Sequence, residues 1–143
     1  MNQAIALAKE AAEEGEVPVG AVVVIDGKIV GAGRNRREIS KNALAHAEIE
    51  AINEACRALG GWRLWQCDMY VTLEPCPMCT GAIINSRIKR LVYGASDYKA
   101  GSCGSVVDLF SLPYNHKPEV VSGVMQEECA ALLTDFFKKL RKK

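Results

Sequence analysis

Two short segments of the chain carry residues whose types and spacing could do chemistry together. The segment HAE offers the imidazole of His46 and the carboxylate of Glu48, and the segment PCPMC offers the thiols of Cys76 and Cys79. One imidazole and two thiolates are ligands that Zn²⁺ prefers in proteins. The pattern therefore predicts one zinc site per chain, held by His46, Cys76 and Cys79.

The number of ligands separates a structural zinc from a catalytic one. A structural site fills four positions with protein ligands, whereas a catalytic site keeps three and leaves the fourth to water. The chain contains no second C-x-x-C segment, and this favours a catalytic site. Folding could still bring in a fourth protein ligand, and the candidates are Cys56, Cys67, Cys103, Cys129 and His116. Two of them, Cys56 and Cys129, lie on apolar helix faces that are typical of buried thiols.

Glu48 would then stand beside the metal. Zn²⁺ lowers the pKa of bound water to about 7, and a nearby carboxylate can take the proton of that water and pass it to the substrate. We therefore predict Glu48 as the catalytic general acid and base. Taken singly, Glu48 is typical of a helix first turn, where the dipole favours acidic residues, and His46 is typical of a core histidine. The presence of Cys76 and Cys79 favours the metal site.

Two predicted helices would position these groups. Apolar residues recur at helical spacing over 46–59, and Gly60-Gly61 is a typical C-terminal signal. Pro77 in the first helical position, preceded by Cys76, predicts a second helix over 77–86. The metal ligands then lie at two helix N-termini, and they converge if those N-termini are adjacent.

The remaining elements alternate between strands and helices. We predict a helix over 3–14, a hairpin within 19–33 that turns at Asp26-Gly27, strands over 68–74, 90–95 and 119–124, a turn of helix near 107–110, and an amphipathic helix over 125–143. Asn42 is the expected N-cap of the 46–59 helix. The alternation indicates the α/β class, with a mixed sheet covered on both faces in a three-layer α/β/α domain.

The composition is that of a folded, water-soluble protein. The chain has 143 residues, of which 49% are hydrophobic and 24% are charged, and this suits a single domain over 1–143. The longest apolar run, 17–25, is too short to span a membrane, and the charged first segment is unlike a signal peptide. We expect a cytoplasmic protein whose six cysteines are reduced or bind metal.

Positive charge gathers at the carboxyl end, although the formal net charge is only +1. The segment KKLRKK, residues 138–143, directly follows Phe136 and Phe137. Taken alone, this segment is typical of a solvated helix end, where cations also suit the helix dipole. Basic and aromatic groups together also suit the splayed bases of single-stranded RNA.

Taken as a set, the motifs resemble the cytidine deaminase superfamily and, within it, the family of bacterial tRNA-specific adenosine deaminases. The ordered pattern H-x-E…P-C-x-x-C is the signature of zinc deaminases that act on cytosine or adenine. Segments beyond that core carry the closer resemblance and extend over nearly the whole chain: GEVPVGAVVV, VTLEPCPMC, SRI, VYGASDYKAG, NH and EECAALLTDFF.

The resemblance implies a five-stranded sheet, a homodimer and hydrolysis of the wobble adenosine of a tRNA anticodon to inosine. It also implies that Asn35 hydrogen-bonds the flipped base and that Asp97 and Lys99 line the groove for neighbouring nucleotides. Phe136 and Phe137, with the basic end, would contact the anticodon loop. Without the resemblance, Asn35 would be interpreted as a turn residue and Asp97 as a loop residue.

Three other functions remain possible at this point. A deaminase of a free base or nucleoside, such as guanine or cytosine, would use the same zinc chemistry in a closed pocket and would have no use for the basic end. A non-enzymatic zinc-containing RNA-binding subunit would lack the carboxylate that Glu48 provides. A deaminase of the riboflavin pathway is expected to have a wider cysteine spacing.

Overall fold

In a computed structural model, which describes residues 1–141, the chain forms five strands and four α-helices. The helices are α1 (Asn2–Glu13), α2 (Ala47–Leu59), α3 (Pro77–Ser86) and α4 (Gln126–Arg141). The strands are β1 (Gly20–Ile25), β2 (Lys28–Arg34), β3 (Asp68–Leu73), β4 (Arg90–Ala95) and β5 (Glu119–Val121). Within this described part of the chain, no helix is long and apolar enough to cross a membrane.

The strands form one mixed sheet in the order β2-β1-β3-β4-β5. Strand β1 runs antiparallel to β2 and β3, while β3 and β4, and β4 and β5, are parallel pairs. Side chains of α2 and α3 pack with one face of the sheet, and α1 and α4 pack together on the other. The predicted three-layer α/β/α architecture with a five-stranded mixed sheet is therefore confirmed.

Two glycines of β2 let α2 lie close against the sheet. A Cβ on Gly31 would overlap the carbonyl oxygen of Ala51, and a Cβ on Gly33 would overlap that of Ala47. Any larger residue at these positions would push α2 outward. The glycines therefore fix the depth at which the first turn of α2, next to His46, lies over the sheet.

The carboxyl ends of two neighbouring parallel strands, β3 and β4, bring distant parts of the chain together. Strand β3 leads into Glu74 and then Cys76, and strand β4 leads into Asp97. Because β3 and β4 are parallel neighbours, both segments leave the sheet at the same edge. Residues 20 or more positions apart are thus brought together.

The start of α2 differs from the prediction. Asn42 does not cap this helix: its side-chain oxygen accepts a hydrogen bond from the backbone N–H of Leu44, at 2.9 Å. His46 occupies the N-cap position in an extended conformation and makes no capping side-chain hydrogen bond. The imidazole instead contacts the thiols of Cys76 and Cys79. The side chain at the N-cap position therefore does not cap the helix.

Several predicted boundaries also shift. Strand β3 ends at Leu73, one residue before the predicted end. Strand β5 ends at Val121 and not at 124, because the chain turns through Gly123 (φ +77°) before α4. The predicted turn of helix is a 3₁₀ helix at Leu109–Ser111, and the carboxylate of Asp108 caps it by accepting from the N–H of Phe110 at 3.1 Å. The last predicted helix is described as far as Arg141, and residues 142–143 of the basic segment lie outside the described residues.

Candidate active site

The structure brings His46, Cys76 and Cys79 together at two helix starts. Nδ1 of His46 lies 3.7 Å from Sγ of Cys76 and 3.6 Å from Sγ of Cys79. His46 is the N-cap of α2, Cys76 is the N-cap of α3, and Pro77 follows as predicted. The three potential ligand atoms lie within 4.8 Å of one another. Their spacing leaves a common point that all three can reach.

The electrostatics of the two thiols suit a cation. Hydrogen bonding from Cys79, followed by that from His46, outweighs burial and lowers the pKa of Cys76 to about 4. The same contact with Cys76, together with burial, raises the pKa of Cys79 well above its usual range. The hydrogen bond with Cys76 also raises the pKa of His46. A cation at the common point would replace the shared protons and stabilise both thiolates.

The donor set fits Zn²⁺. One imidazole nitrogen and two sulfurs are borderline and soft donors, which zinc accepts in tetrahedral sites. Among residues 1–141, the metal-ligand group that the structure assembles has three members and not four. Two of the candidate fourth ligands are engaged elsewhere: Sγ of Cys103 lies 3.4 Å from the hydroxyl of Thr80, and Nε2 of His116 lies 2.7 Å from the carbonyl oxygen of Ile88.

Glu48 is buried in the first turn of α2, with 4% of its surface exposed. Burial, reinforced by the neighbouring Cys76 thiolate, raises the pKa of this carboxyl to about 7. A carboxyl group with such a pKa exchanges protons most readily near neutral pH. Glu48 also lines the same cavity as His46 and Cys76. Its position suits a group that carries protons between water and a bound substrate.

A cavity of about 200 Å³ adjoins this group of residues. Its lining combines apolar side chains with a few convergent polar ones, as is usual for small-molecule and base-binding sites. The lining residues are Val17, Val19, Asn35, Arg37, His46, Ala47, Glu48, Leu73, Glu74, Cys76, Asp97 and Ala100. The sequence-predicted residues Asn35 and Asp97 thus lie at the same cavity as His46 and Cys76.

Asn35 follows β2 and is buried, with 7% exposed. Its Nδ2 donates to the carbonyl oxygen of Val17 at 3.1 Å, and its Oδ1 accepts from the N–H of Arg37 at 3.1 Å. A side-chain amide has two N–H groups and two lone pairs on its oxygen. One donor and one acceptor of Asn35 therefore remain for a ligand, and the two bonds already made hold the amide in one orientation.

Asp97 shapes the loop that follows β4. Its Oδ1 accepts hydrogen bonds from the backbone N–H groups of Lys99 (3.0 Å) and Ala100 (3.2 Å). This is an Asx-type turn, in which an acidic side chain replaces a backbone acceptor. Lys99 itself is exposed and does not line the cavity.

Phe136 and Phe137 do not reach the cavity lining. Their rings meet edge to face on α4, with centroids 5.4 Å apart, and Phe137 is 43% exposed. The structure thus leaves them on a helix surface beside Lys138, Lys139 and Arg141, where they could meet only an extended ligand.

Sequence reasoning missed several residues of this site. Arg37 is exposed at the cavity, and Glu74 is almost fully buried beside it. Burial alone would raise the pKa of Glu74, but the Ser105 hydroxyl and three backbone N–H groups hold it below its ordinary value. The available signal was an acidic residue at the carboxyl end of a central strand, directly before Pro75 and the first cysteine.

The chain matches known proteins over nearly all of its length. A family model for MafB19-like deaminases matches residues 1–141. The chain belongs to this deaminase family. The deaminase is 52% identical to the tRNA-specific adenosine deaminase of Bacillus subtilis over 144 residues, covering 100% of the chain and 89% of the relative. It is 49% identical to the tRNA-specific adenosine deaminase of Haemophilus influenzae, covering 99% of the chain and 83% of the relative. The resemblance to the tRNA-specific adenosine deaminases is therefore confirmed.

Solved structures of deaminases also match the chain. A tRNA:A34 deaminase, studied for A-to-I editing at the wobble position of transfer RNA, superposes with a TM-score of 0.90 at 48% identity, covering 93% of this chain and 97% of that one. A guanine deaminase from Bacillus subtilis superposes with a TM-score of 0.66 at 33% identity, covering 99% of this chain and 91% of that one. The deaminase therefore shares its fold with both, and it is nearer to the enzyme that acts on RNA.

Proposed function

We propose that this deaminase hydrolyses the wobble adenosine of a tRNA anticodon loop to inosine. One water molecule adds at C6 of the adenine, and the exocyclic amino group leaves as ammonia. The enzyme is thus a hydrolase, and its substrate is a nucleotide presented by folded RNA.

The observation that carries this proposal is the difference between the two solved neighbours. Identity is 48% with the A34 deaminase and 33% with the guanine deaminase, and the TM-scores are 0.90 and 0.66. Both neighbours are deaminases, so the difference bears on the substrate. The free-base deaminase is accordingly the second candidate. A non-enzymatic RNA-binding subunit is disfavoured because Glu48 is present and lines the cavity.

His46, Cys76 and Cys79 would hold one Zn²⁺ per chain. When bound, zinc would supply Lewis-acid activation of the attacking water. Three protein ligands leave a position for that water, which is the arrangement of a catalytic site.

Glu48 would carry the protons of the reaction. Its carboxylate oxygen takes one proton from the attacking water and passes it to the ring nitrogen N1 of the adenine. It then takes the second proton of that oxygen, now bonded to C6, and passes it to the amino nitrogen, which leaves as ammonia. Burial, which raises its pKa to about 7, suits a group that must both accept and release protons near neutral pH.

Asn35 would orient the target base. It retains one free N–H and one free acceptor site, and its two existing hydrogen bonds keep that pair aimed in a fixed direction. A flipped adenine has both donors and acceptors on its edges. The neighbouring nucleotides would lie along the loop of Asp97 and Lys99, and the anticodon loop would reach Phe136 and Phe137.

The active unit we propose is a homodimer in the cytoplasm, where its tRNA substrate is found. Sedimentation equilibrium should give twice the chain mass of 15.5 kDa. A monomer at all working concentrations would contradict the dimer without affecting the proposed chemistry.

The deciding experiment compares substrates directly. The zinc-loaded enzyme is incubated with an anticodon stem-loop that carries adenosine at the wobble position, and separately with free adenosine, cytidine and guanine. We expect kcat/KM for the stem-loop to exceed that for every free compound, with inosine as the product. Preference for guanine or cytidine would instead establish the free-base or nucleoside deaminase.

A further inference from the structure

Glu74 is a buried carboxylate that takes part in neither the proposed metal binding nor the proposed proton transfer. It follows β3 directly and stands two residues before Cys76, with only 2% of its surface exposed. Buried carboxylates are rare unless several partners compensate for their lost hydration. Its partners therefore indicate what it does.

All four hydrogen bonds to this carboxylate come from the loop after β4, residues 97–105. Oε1 accepts from the backbone N–H of Asp97 at 3.0 Å and from the hydroxyl of Ser105 at 2.5 Å. Oε2 accepts from the N–H groups of Cys103 at 3.0 Å and Ser105 at 3.1 Å. An ionised carboxylate offers about four acceptor sites, so Glu74 uses its full capacity on this one loop.

The loop is shaped closely around the carboxylate. The N–H of Gly101 bonds to the carbonyl oxygen of Asp97 at 2.8 Å, and the N–H of Ser102 bonds to that of Pro75 at 2.9 Å. A Cβ on Gly101 would overlap both the Asp97 carbonyl oxygen and the Glu74 carboxylate. The loop therefore has little freedom while Glu74 remains in place.

Part of this loop forms one side of the cavity. Asp97 and Ala100 line it, together with Asn35 and Arg37 from the segment after β2. A cavity of about 200 Å³ accommodates one flipped base. The nucleotides on either side of the target must then lie outside it, against the residues at its edge.

We propose that Glu74 is a positioning residue that holds the 97–105 loop in the shape that receives the nucleotides next to the target adenosine. This inference rests on the proposed function, because only an RNA substrate has such neighbours. Fixing the loop before binding removes the cost of ordering it on the substrate, so neighbouring bases contribute fully to affinity and orientation.

The test measures how strongly the enzyme depends on the bases beside its target. Stem-loops are prepared with a normal or an abasic nucleotide on each side of the wobble adenosine, and kcat/KM is measured for the wild type and for Glu74→Gln. Gln keeps one oxygen but turns an NH₂ group toward N–H donors, so it cannot hold the loop. Removal of the contacted base should cost the wild type about ten-fold, the scale of one stacked base. In Glu74→Gln, removal of the same base should leave kcat/KM almost unchanged from the value that this variant shows with the normal stem-loop.

Two additional variants disturb the loop without removing Glu74. Gly101→Ala should push the carboxylate out of place, and Ser105→Ala removes one of its four donors. Gly101→Ala should reproduce the loss of neighbour dependence, and Ser105→Ala should show it in part. Ser86→Ala is the matched control: it removes a buried hydroxyl bond to Ala82, at the opposite end of α3 from Cys76, and should keep the wild-type dependence.

Amide hydrogen exchange gives a readout that does not depend on activity. In Glu74→Gln, the amides of Asp97, Cys103 and Ser105 should lose protection while zinc content stays at the wild-type level. If Glu74→Gln fails to fold, Gly101→Ala decides the matter by the same two measurements.

Equal neighbour dependence in the wild type and Gly101→Ala, or no dependence in the wild type, would overturn the positioning role. A wild-type enzyme that does not deaminate the stem-loop at all would instead overturn the proposed function. The two failures are therefore distinguishable.

Discussion

Nδ1 of His46 lies 3.6 Å from Sγ of Cys79, although 33 residues separate them along the chain. Each residue stands at the start of a different helix, and the packing of α2 and α3 on one face of the sheet makes those starts adjacent. A histidine and a cysteine at this distance, with a second cysteine alongside, form a ligand set for zinc.

The first prediction concerns metal content. Purified protein should contain one zinc per chain by elemental analysis. Cys76→Ser and His46→Ala should each lose most of it, because a site of three protein ligands has no spare one. Cys56→Ser is the control, since Cys56 lies outside the three-residue group and should leave zinc unchanged. Full zinc occupancy in Cys76→Ser would contradict the assigned ligands.

The second prediction separates proton transfer from metal binding. Glu48→Gln keeps the size of the side chain but cannot accept a proton, so zinc content and fold should be retained. Loss of a general acid–base group typically costs about 10²–10⁴-fold in rate, and the single-turnover rate constant on the stem-loop should fall accordingly. Single-turnover assays with zinc determined on the same samples provide the measurement. Turnover close to wild type in zinc-loaded Glu48→Gln would mean that another group moves the proton.

The third prediction tests the basic end of α4. Replacement of Lys138, Lys139 and Arg141 by Gln removes three charges without shortening the helix and should weaken stem-loop binding. The slope of log affinity against log salt should flatten by about one for each lost phosphate contact. Arg57→Gln, in the last turn of α2, is the control for the loss of one positive charge elsewhere on the protein. An unchanged slope in the triple variant would show that RNA does not reach this end of the helix.

The fourth prediction links core packing to the metal site. Gly31→Ala places a Cβ against the backbone of α2 at Ala51 and Ala55, and overpacking of this kind typically costs about 1–3 kcal/mol. Thermal unfolding should show the lower stability, and competition with a chelator should show weaker zinc binding, because His46 moves with α2. Gly61→Ala, whose Cβ would meet nothing within 4 Å, should change neither. Equal melting temperatures for the two variants would refute the packing argument.

The helices, most of the strands and the residue types that meet in the candidate site could be predicted because their signals are local. Periodicity over 46–59 and Pro77 after Cys76 indicate two helix starts, and the residue types at those starts suggest a metal and a proton carrier. The N-cap of α2 could not be predicted in this way. Asn42 has the right side chain for a cap, but His46 takes the position because its imidazole is held by thiols from another helix.

Only the tertiary structure decided which residues line the cavity together and which residues hold the loops around it by hydrogen bonds. Glu74 and the 97–105 loop are distant in sequence, and nothing in either segment specifies the hydrogen bonds between them. They meet because β3 and β4 are parallel neighbours that end at one edge of the sheet. The sequence by itself determined which residue types could bind a metal or carry a proton, and it determined the family resemblance, since each depends on residue identity and short spacing. Contacts between segments depend on strand order and helix packing, which are properties of the whole fold.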